Sequence, residues 1–190
     1  TRKGKTVFLE AILEKTKSLA EKEIKKRAIK ISKVKLKKRA MKVAIAAIFY
    51  GDLKNNRKKD AVFDIKKFVS FEGDTGPYLM YSYARASSIL RKSSSLLKKF
   101  EVNVLEEKEK ELVKKLSLFP ETVVAAYRNL NPSVIANYSY QLAQIFNEFY
   151  HTCKVIGSEQ ETFRLALVES FRQVLKNSLS LLGIDTIEEM

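Results

Sequence analysis

Ser70-Phe-Glu-Gly-Asp-Thr-Gly-Pro-Tyr-Leu-Met-Tyr-Ser-Tyr-Ala-Arg85 divides the chain into two unlike parts. Two glycines and a proline fall within five residues, so neither a helix nor a strand can run through Phe71–Pro77. Pro77 suits the first turn of a helix, where its missing N–H costs nothing. The apolar spacing behind it predicts a helix from about Pro77 to Lys99. Tyr78, Tyr81 and Arg85 follow at i, i+3 and i+7 and therefore share one face of that helix. Two phenol rings and a guanidinium on one face can stack unpaired bases and hold a phosphate or a base edge. The same pattern also fits half-buried tyrosines with Arg85 paired to an acid such as Glu72.

Downstream, everything reads as helix. Asn103-Val-Leu-Glu106 has the form of a capping box opening a helix that ends near Leu118. Pro120 opens a short helix, and Asn131-Pro132 caps the next. That one carries Val134, Tyr138, Leu142, Ile145, Phe146 and Phe149 as a heptad-like stripe, with Tyr140 and Asn147 on a face free to be exposed. Ser158-Glu-Gln-Glu161 looks like another capping box. Its helix presents Phe163, Leu167, Phe171, Val174, Leu175, Leu179 and Leu182 and stops at Gly183. Short loops between long amphipathic helices predict an antiparallel bundle over 76–190.

Upstream, residues 1–75 read as a smaller mixed α/β region. Thr6-Val-Phe-Leu9 and Ala61-Val-Phe63 suggest short strands. Helical patterns start at Glu10 and near Lys35, with Gly51 as a C-terminal cap and Asp64 as an N-cap.

Charge follows the same division. The 190 residues carry a formal charge of +14. Residues 1–70 hold 22 Lys+Arg against 7 Asp+Glu, and the remainder is close to neutral. Thirteen basic residues and two acidic ones lie between Lys15 and Lys42. Such a block points to a polyanion, nucleic acid first, because neutralised phosphates release counterions. A lysine-rich solvated face is the plainer alternative. The longest apolar run, Val43–Tyr50, falls far short of the ~20 residues of a membrane helix, and no secretory leader is expected. One cysteine and one histidine exclude a disulfide within the chain, a multi-cysteine zinc site and a two-histidine metal site. Nucleophile, P-loop and dinucleotide motifs are absent. His151 and Cys153 are two apart and would not face each other on a helix, so Cys153 reads as a buried, inert thiol.

These motifs converge on one family. Ser70–Arg85 resembles SFEGDTGPYLQYAHAR, the signature that opens the anticodon-binding domain of arginyl-tRNA synthetases, and Ser88-Ile-Leu-Arg-Lys92 resembles the stretch that follows it. Asp52–Arg57 and Asp60–Asp64 resemble the family's DLxxxRxxDxVFD segment. Phe119-Pro120, Ile135–Tyr138, Phe146-Asn147, Phe149-Tyr150, Arg164–Glu169, Val174–Asn177, Leu182–Ile184 and Met190 recur in family order. Thr1-Arg-Lys-Gly4 is similar to the end of the KMSKS loop of class I synthetases, with Thr1 in place of the second lysine.

The resemblance implies residues 1–75 as a connecting, stem-contact region and 76–190 as the helical anticodon-binding domain. It implies tRNA(Arg) as partner, with Tyr78, Tyr81, Arg85, Tyr150 and Met190 at the anticodon. Arg2 and Lys3 would be remnants of the ATP loop. The parent reaction implied is ATP- and Mg-dependent attachment of arginine to tRNA in the cytoplasm. The Rossmann catalytic core is not recognisable here, so this chain by itself is expected to bind neither cofactor nor membrane nor DNA, and not to activate arginine. A free-standing or split-subunit basic RNA-binding module, working beside a separate catalytic chain, and a helical interaction domain that binds no RNA are the competing expectations.

Overall fold

The computed structural model describes residues 8–27, 31–60, 64–93 and 104–190. Over these it contains helices and no strand: α1 (Leu9–Arg27), α2 (Lys33–Leu53), α3 (Ile65–Phe68), α4 (Gly76–Lys92), α5 (Glu107–Ser117), α6 (Phe119–Arg128), α7 (Ser133–Thr152) and α8 (Glu161–Leu181). The bundle expected over the second part is present. In the first part, Leu9 opens α1 instead of ending a strand, while Thr6, Val7 and the second expected strand, 61–63, lie outside the described residues. No described helix is long and apolar enough to cross a membrane.

The layers follow from the stripes. α1 and α2 form a helical hairpin around Ala20, Ile24, Leu36 and Ala40, and α2 lies against α4. α4, α7 and α8 pack on one another; α5 and α6 cover α7. At the centre the Phe146 and Phe171 rings stack 3.7 Å apart and nearly parallel. The stripe predicted on α7 is buried at Tyr138, Leu142, Phe146 and Phe149, which is what turns this helix inward.

Two glycines allow the close approaches. Gly51 does not end α2, which continues to Leu53 and is capped at Lys54. It lies instead beneath the Phe68 ring, which a Cβ at this position would meet at 2.5 Å. Gly76 sits where a Cβ would stand 2.2 Å from the Ala46 carbonyl oxygen, so α4 can begin against the backbone of α2.

The loop between them is tied down by its own polar residues. Thr75 caps α4, accepting from the Tyr78 N–H, and its hydroxyl donates to Ser70 O at 2.6 Å. Asp74 accepts from Lys54 Nζ at 3.1 Å, and the Tyr50 hydroxyl lies 2.6 Å from its Oδ1 and 3.1 Å from Ala136 O. Burial, and then the Asp74 carboxylate, hold the Tyr50 phenol well above its ordinary range, so it stays a donor. Tyr50→Phe leaves the loop and the α7 carbonyl without that donor. The expected loss is about 1 kcal/mol, or roughly 2–4 °C in Tm, read from a thermal melt by circular dichroism.

Other caps shift from their sequence positions. α5 is capped by Glu106, whose backbone N–H donates to the Glu109 carboxylate at 2.7 Å, while Asn103 lies outside the described residues. At α8, Ser158 Oγ donates to Val155 O and Glu161 accepts from the Gly157 N–H, so no reciprocal box forms. α4 ends at Lys92 with Ser93 as its C-cap, short of the predicted Lys99; residues 94–103 lie outside the described residues.

One ionic cluster is buried between α5 and α8. Glu109 is 0% exposed, and Arg164 Nε donates to it at 2.7 Å. Arg164 also bonds Glu106, and its Nη1 donates to Lys154 O at 2.8 Å. Burial works against the Arg164 charge, but hydrogen bonds to Glu109 and Glu106 outweigh it and raise its pKa. Cys153 lies against the same cluster, 3.5 Å from Glu106. Burial pushes its thiol up, in keeping with an inert cysteine. Glu106, Glu109 and Cys153 converge closely enough to ligate an ion, but both carboxylates already bond Arg164.

Candidate nucleic-acid interface

Helical spacing turns Tyr78, Tyr81 and Arg85 of α4 toward the C-terminal half of α7, and all three are half-buried. Arg85 makes the contact that organises the site. Its guanidinium carbon sits 4.8 Å from the Tyr81 ring centroid and 5.3 Å from that of Tyr150. The cation is therefore held between two aromatic faces. Its Nη1 donates to the side-chain oxygen of Asn147. Among the described residues no carboxylate reaches ion-pair distance of Arg85, so the expected alternative pairing with Glu72 is not formed.

Asn147 completes the group. Its Nδ2 donates to the Tyr78 hydroxyl at 2.8 Å and to Ser82 Oγ at 3.0 Å. Tyr78 packs edge-on to Tyr140 with centroids 5.7 Å apart. Asn147 does not share an exposed face with Tyr140, as its spacing suggested. It is 9% exposed, buried under α4. The error is physical: seven residues set a shared direction along α7, but only the packing of α4 shows which part of that direction is covered.

Two clefts flank the Tyr81–Arg85 pair. The larger, about 880 Å³, lies between the ends of α4 and α7 and the C-terminal tail. Tyr81, Arg85, Tyr150, His151 and Met190 line it; Arg91, Lys92 and Lys154 add positive charge around it, while Arg39 is paired there with Glu189. The smaller, about 350 Å³, is lined by Tyr78, Glu72 and Asn147 and shares Tyr81, Arg85 and His151 with the first. Four of the five expected anticodon residues, Tyr81, Arg85, Tyr150 and Met190, thus meet at one cleft, and Tyr78 meets the pair from the other side. Tyr150 is 39% exposed, enough to offer a face to a ligand.

Met190 is not a frayed end. Ile184 and Ile187 are buried, and the tail is fastened at several points. Tyr83 donates to Glu188 Oε1 at 2.9 Å, Arg91 donates to Glu188 O at 2.9 Å, and Arg39 pairs with Glu189 at 2.7 Å. From sequence, His151 is weighed only against Cys153, and neither Arg39 nor Lys154 is singled out. Arg39 lies on α2, far along the chain from His151 and Lys154, and no local pattern links it to them. Arg2 and Lys3 lie outside the described residues.

The basic block forms a second surface. Lys33, Lys35, Lys37 and Lys38 on α2, and Lys15, Lys22 and Lys25 on α1, are exposed. Arg39 and Lys42, on the side of α2 nearer the bundle, are paired instead with tail carboxylates. Solvated lysines on these packed helices present charge to a polyanion.

The chain is similar to known proteins along its whole length. Residues 79–190 match the family model described as DALR anticodon binding domain. Residues 1–65 match the model of tRNA synthetases class I (R), catalytic domain. An arginine–tRNA ligase of Clostridium botulinum is 42% identical over 194 aligned residues, covering 100% of this chain and 34% of its own length. The corresponding ligase of Clostridium acetobutylicum is 40% identical, again over 100% of this chain and 34% of the relative. The chain thus spans about a third of the length of the curated relatives it matches. The arginyl-tRNA synthetase of Thermus thermophilus superposes with a TM-score of 0.88 at 30% identity, over 97% of this chain and 32% of that one. That of Plasmodium falciparum gives 0.89 at 29% identity, over 97% and 34%. The chain belongs to the arginyl-tRNA synthetase family and carries its DALR anticodon-binding domain.

Proposed function

We propose that this chain recognises tRNA(Arg), with unstacked anticodon bases entering the clefts on either side of Tyr81 and Arg85. The observation that carries this is the guanidinium held between two tyrosine rings at the mouth of a cationic cleft. Single-stranded loops are read by aromatic stacking together with a few polar groups on base edges, and this site supplies both. Tyr78, Tyr81 and Tyr150 offer ring faces, Arg85 the edge or phosphate contact, and Met190 an apolar wall.

In this reading residues 76–190 grip the anticodon loop. Residues 1–75 run along the tRNA body, with the α1–α2 lysines on its phosphates. The reaction served is the attachment of arginine to tRNA in the cytoplasm. ATP and its Mg would be handled by catalytic parts beyond the described residues, with Arg2 and Lys3 contributing to the phosphate loop. Among the described residues, the one cluster of candidate metal ligands already bonds Arg164.

The test is a titration of the 190-residue chain against tRNA(Arg) and against the same tRNA with a changed second anticodon base, at two salt concentrations. A preference for the native anticodon that persists in higher salt is expected, because stacking and base-edge contacts are insensitive to counterions. Equal affinities that collapse together with salt would overturn anticodon reading and leave a general basic RNA binder.

A further inference from the structure

We propose that Asn147 is a positioning residue for Arg85: a neutral amide that aims the guanidinium into the cleft without cancelling its charge. The inference rests on the tRNA reading above.

Its amide orientation follows from the neighbouring bonds. Ser82 Oγ donates its proton to Tyr78 O at 3.0 Å, so toward Asn147 it has only lone pairs to offer. The group 3.0 Å from it must then be the Asn147 Nδ2, which also donates to the Tyr78 hydroxyl at 2.8 Å. That leaves Oδ1 as the end facing Arg85, where it accepts from Nη1. Two hydroxyls on α4 therefore set the amide, and the amide sets the guanidinium.

The choice of a neutral acceptor has a consequence for binding. A carboxylate at this place would hold Arg85 more tightly, but it would also spend the charge that an RNA phosphate or base edge is meant to meet. Among the described residues Asn147 is the only acceptor bonded to Arg85, so most of its N–H donors remain free toward the cleft. The tyrosine faces of Tyr81 and Tyr150 hold the cation without neutralising it, by the same logic.

Asn147→Asp keeps the size of the side chain and adds the missing charge. Against tRNA(Arg) it is expected to weaken binding roughly tenfold or more. It should also flatten the log–log salt dependence by about one contact. Asn147→Ala removes the acceptor but leaves the cation whole, so it should weaken binding while keeping the wild-type salt slope. In an Arg85→Ala background the aspartate substitution should add nothing, since its effect runs through Arg85. Thermal melts accompany each variant, and the alanine variant carries the test should the aspartate fail to fold. Wild-type affinity in both Asn147 variants would overturn the proposal, as would an undiminished loss when Arg85 is already absent. Arg85→Ala and Tyr81→Ala that bind like wild type would instead overturn the anticodon reading on which the proposal rests.

Discussion

Arg164→Leu is expected to lower the stability of the bundle by about 3–5 kcal/mol, which is roughly 6–20 °C in Tm for a domain of this size. The cause is the group left behind. Glu109 is wholly buried, and Arg164 is the cation that faces it. Removing one partner of a buried pair leaves a desolvated charge, which costs far more than the pair contributes when intact. Glu106 is partly exposed and can turn to water, so little of the loss comes from it. Lys154 O would lose its donor from Arg164 as well. The double variant Arg164→Leu with Glu109→Leu separates charge from packing. If the orphaned carboxylate dominates, the double variant recovers a large part of the loss, because no buried charge remains. If it melts as low as the single variant, the cost lies in packing between α5 and α8. Thermal unfolding followed by circular dichroism reads both.

Tyr81→Ala has the largest expected effect on function. It removes one wall of the Arg85 sandwich and one ring face on the boundary between the clefts. Loss of a stacking aromatic costs about 1–3 kcal/mol, so the affinity for tRNA(Arg) should fall about 5- to 150-fold. Tyr81→Phe keeps the ring and should bind close to wild type. The two surfaces are separable in the same titration. Tyr81→Ala should leave the salt slope unchanged, because it removes no cation. Loss of affinity from substitutions among Lys33, Lys35, Lys37 and Lys38 should be alike for all RNAs and should flatten the slope. A neutral Tyr81→Ala would remove the anticodon assignment while leaving general RNA binding intact.

Much of the fold is legible in the residues. Local signals carry it: the Gly/Pro break at 73–77, the apolar stripes of α7 and α8, the Asp64 cap of α3. These depend on helical periodicity and on short-range hydrogen bonds, both set within a few residues. The places where expectation and structure part are those where a local pattern had more than one physical use. Gly51 has the composition of a cap but serves the close approach of Phe68. Ser158 could cap α8 but donates instead to Val155 O. Leu9 sits in a β-branched, aromatic-rich run, yet it opens a helix that packs on α2.

The candidate site is legible only in part, and for a related reason. Tyr78, Tyr81 and Arg85 lie on one helix, so spacing alone places them together. Tyr150 and Met190 were linked to them by resemblance, not by any spacing rule.

Residue order alone specifies a mainly helical, strongly basic chain with a glycine-rich turn into a tyrosine- and arginine-bearing helix. Composition and periodicity are properties of neighbours along the chain. It takes the packed helices to place Arg85 between Tyr81 and Tyr150, resting on a buried Asn147. The same packing lets the C-terminal carboxylates pin Met190 beside that cleft. Those contacts join residues 62 and 150 positions apart, and nothing but the burial of three helix faces against one another brings them together.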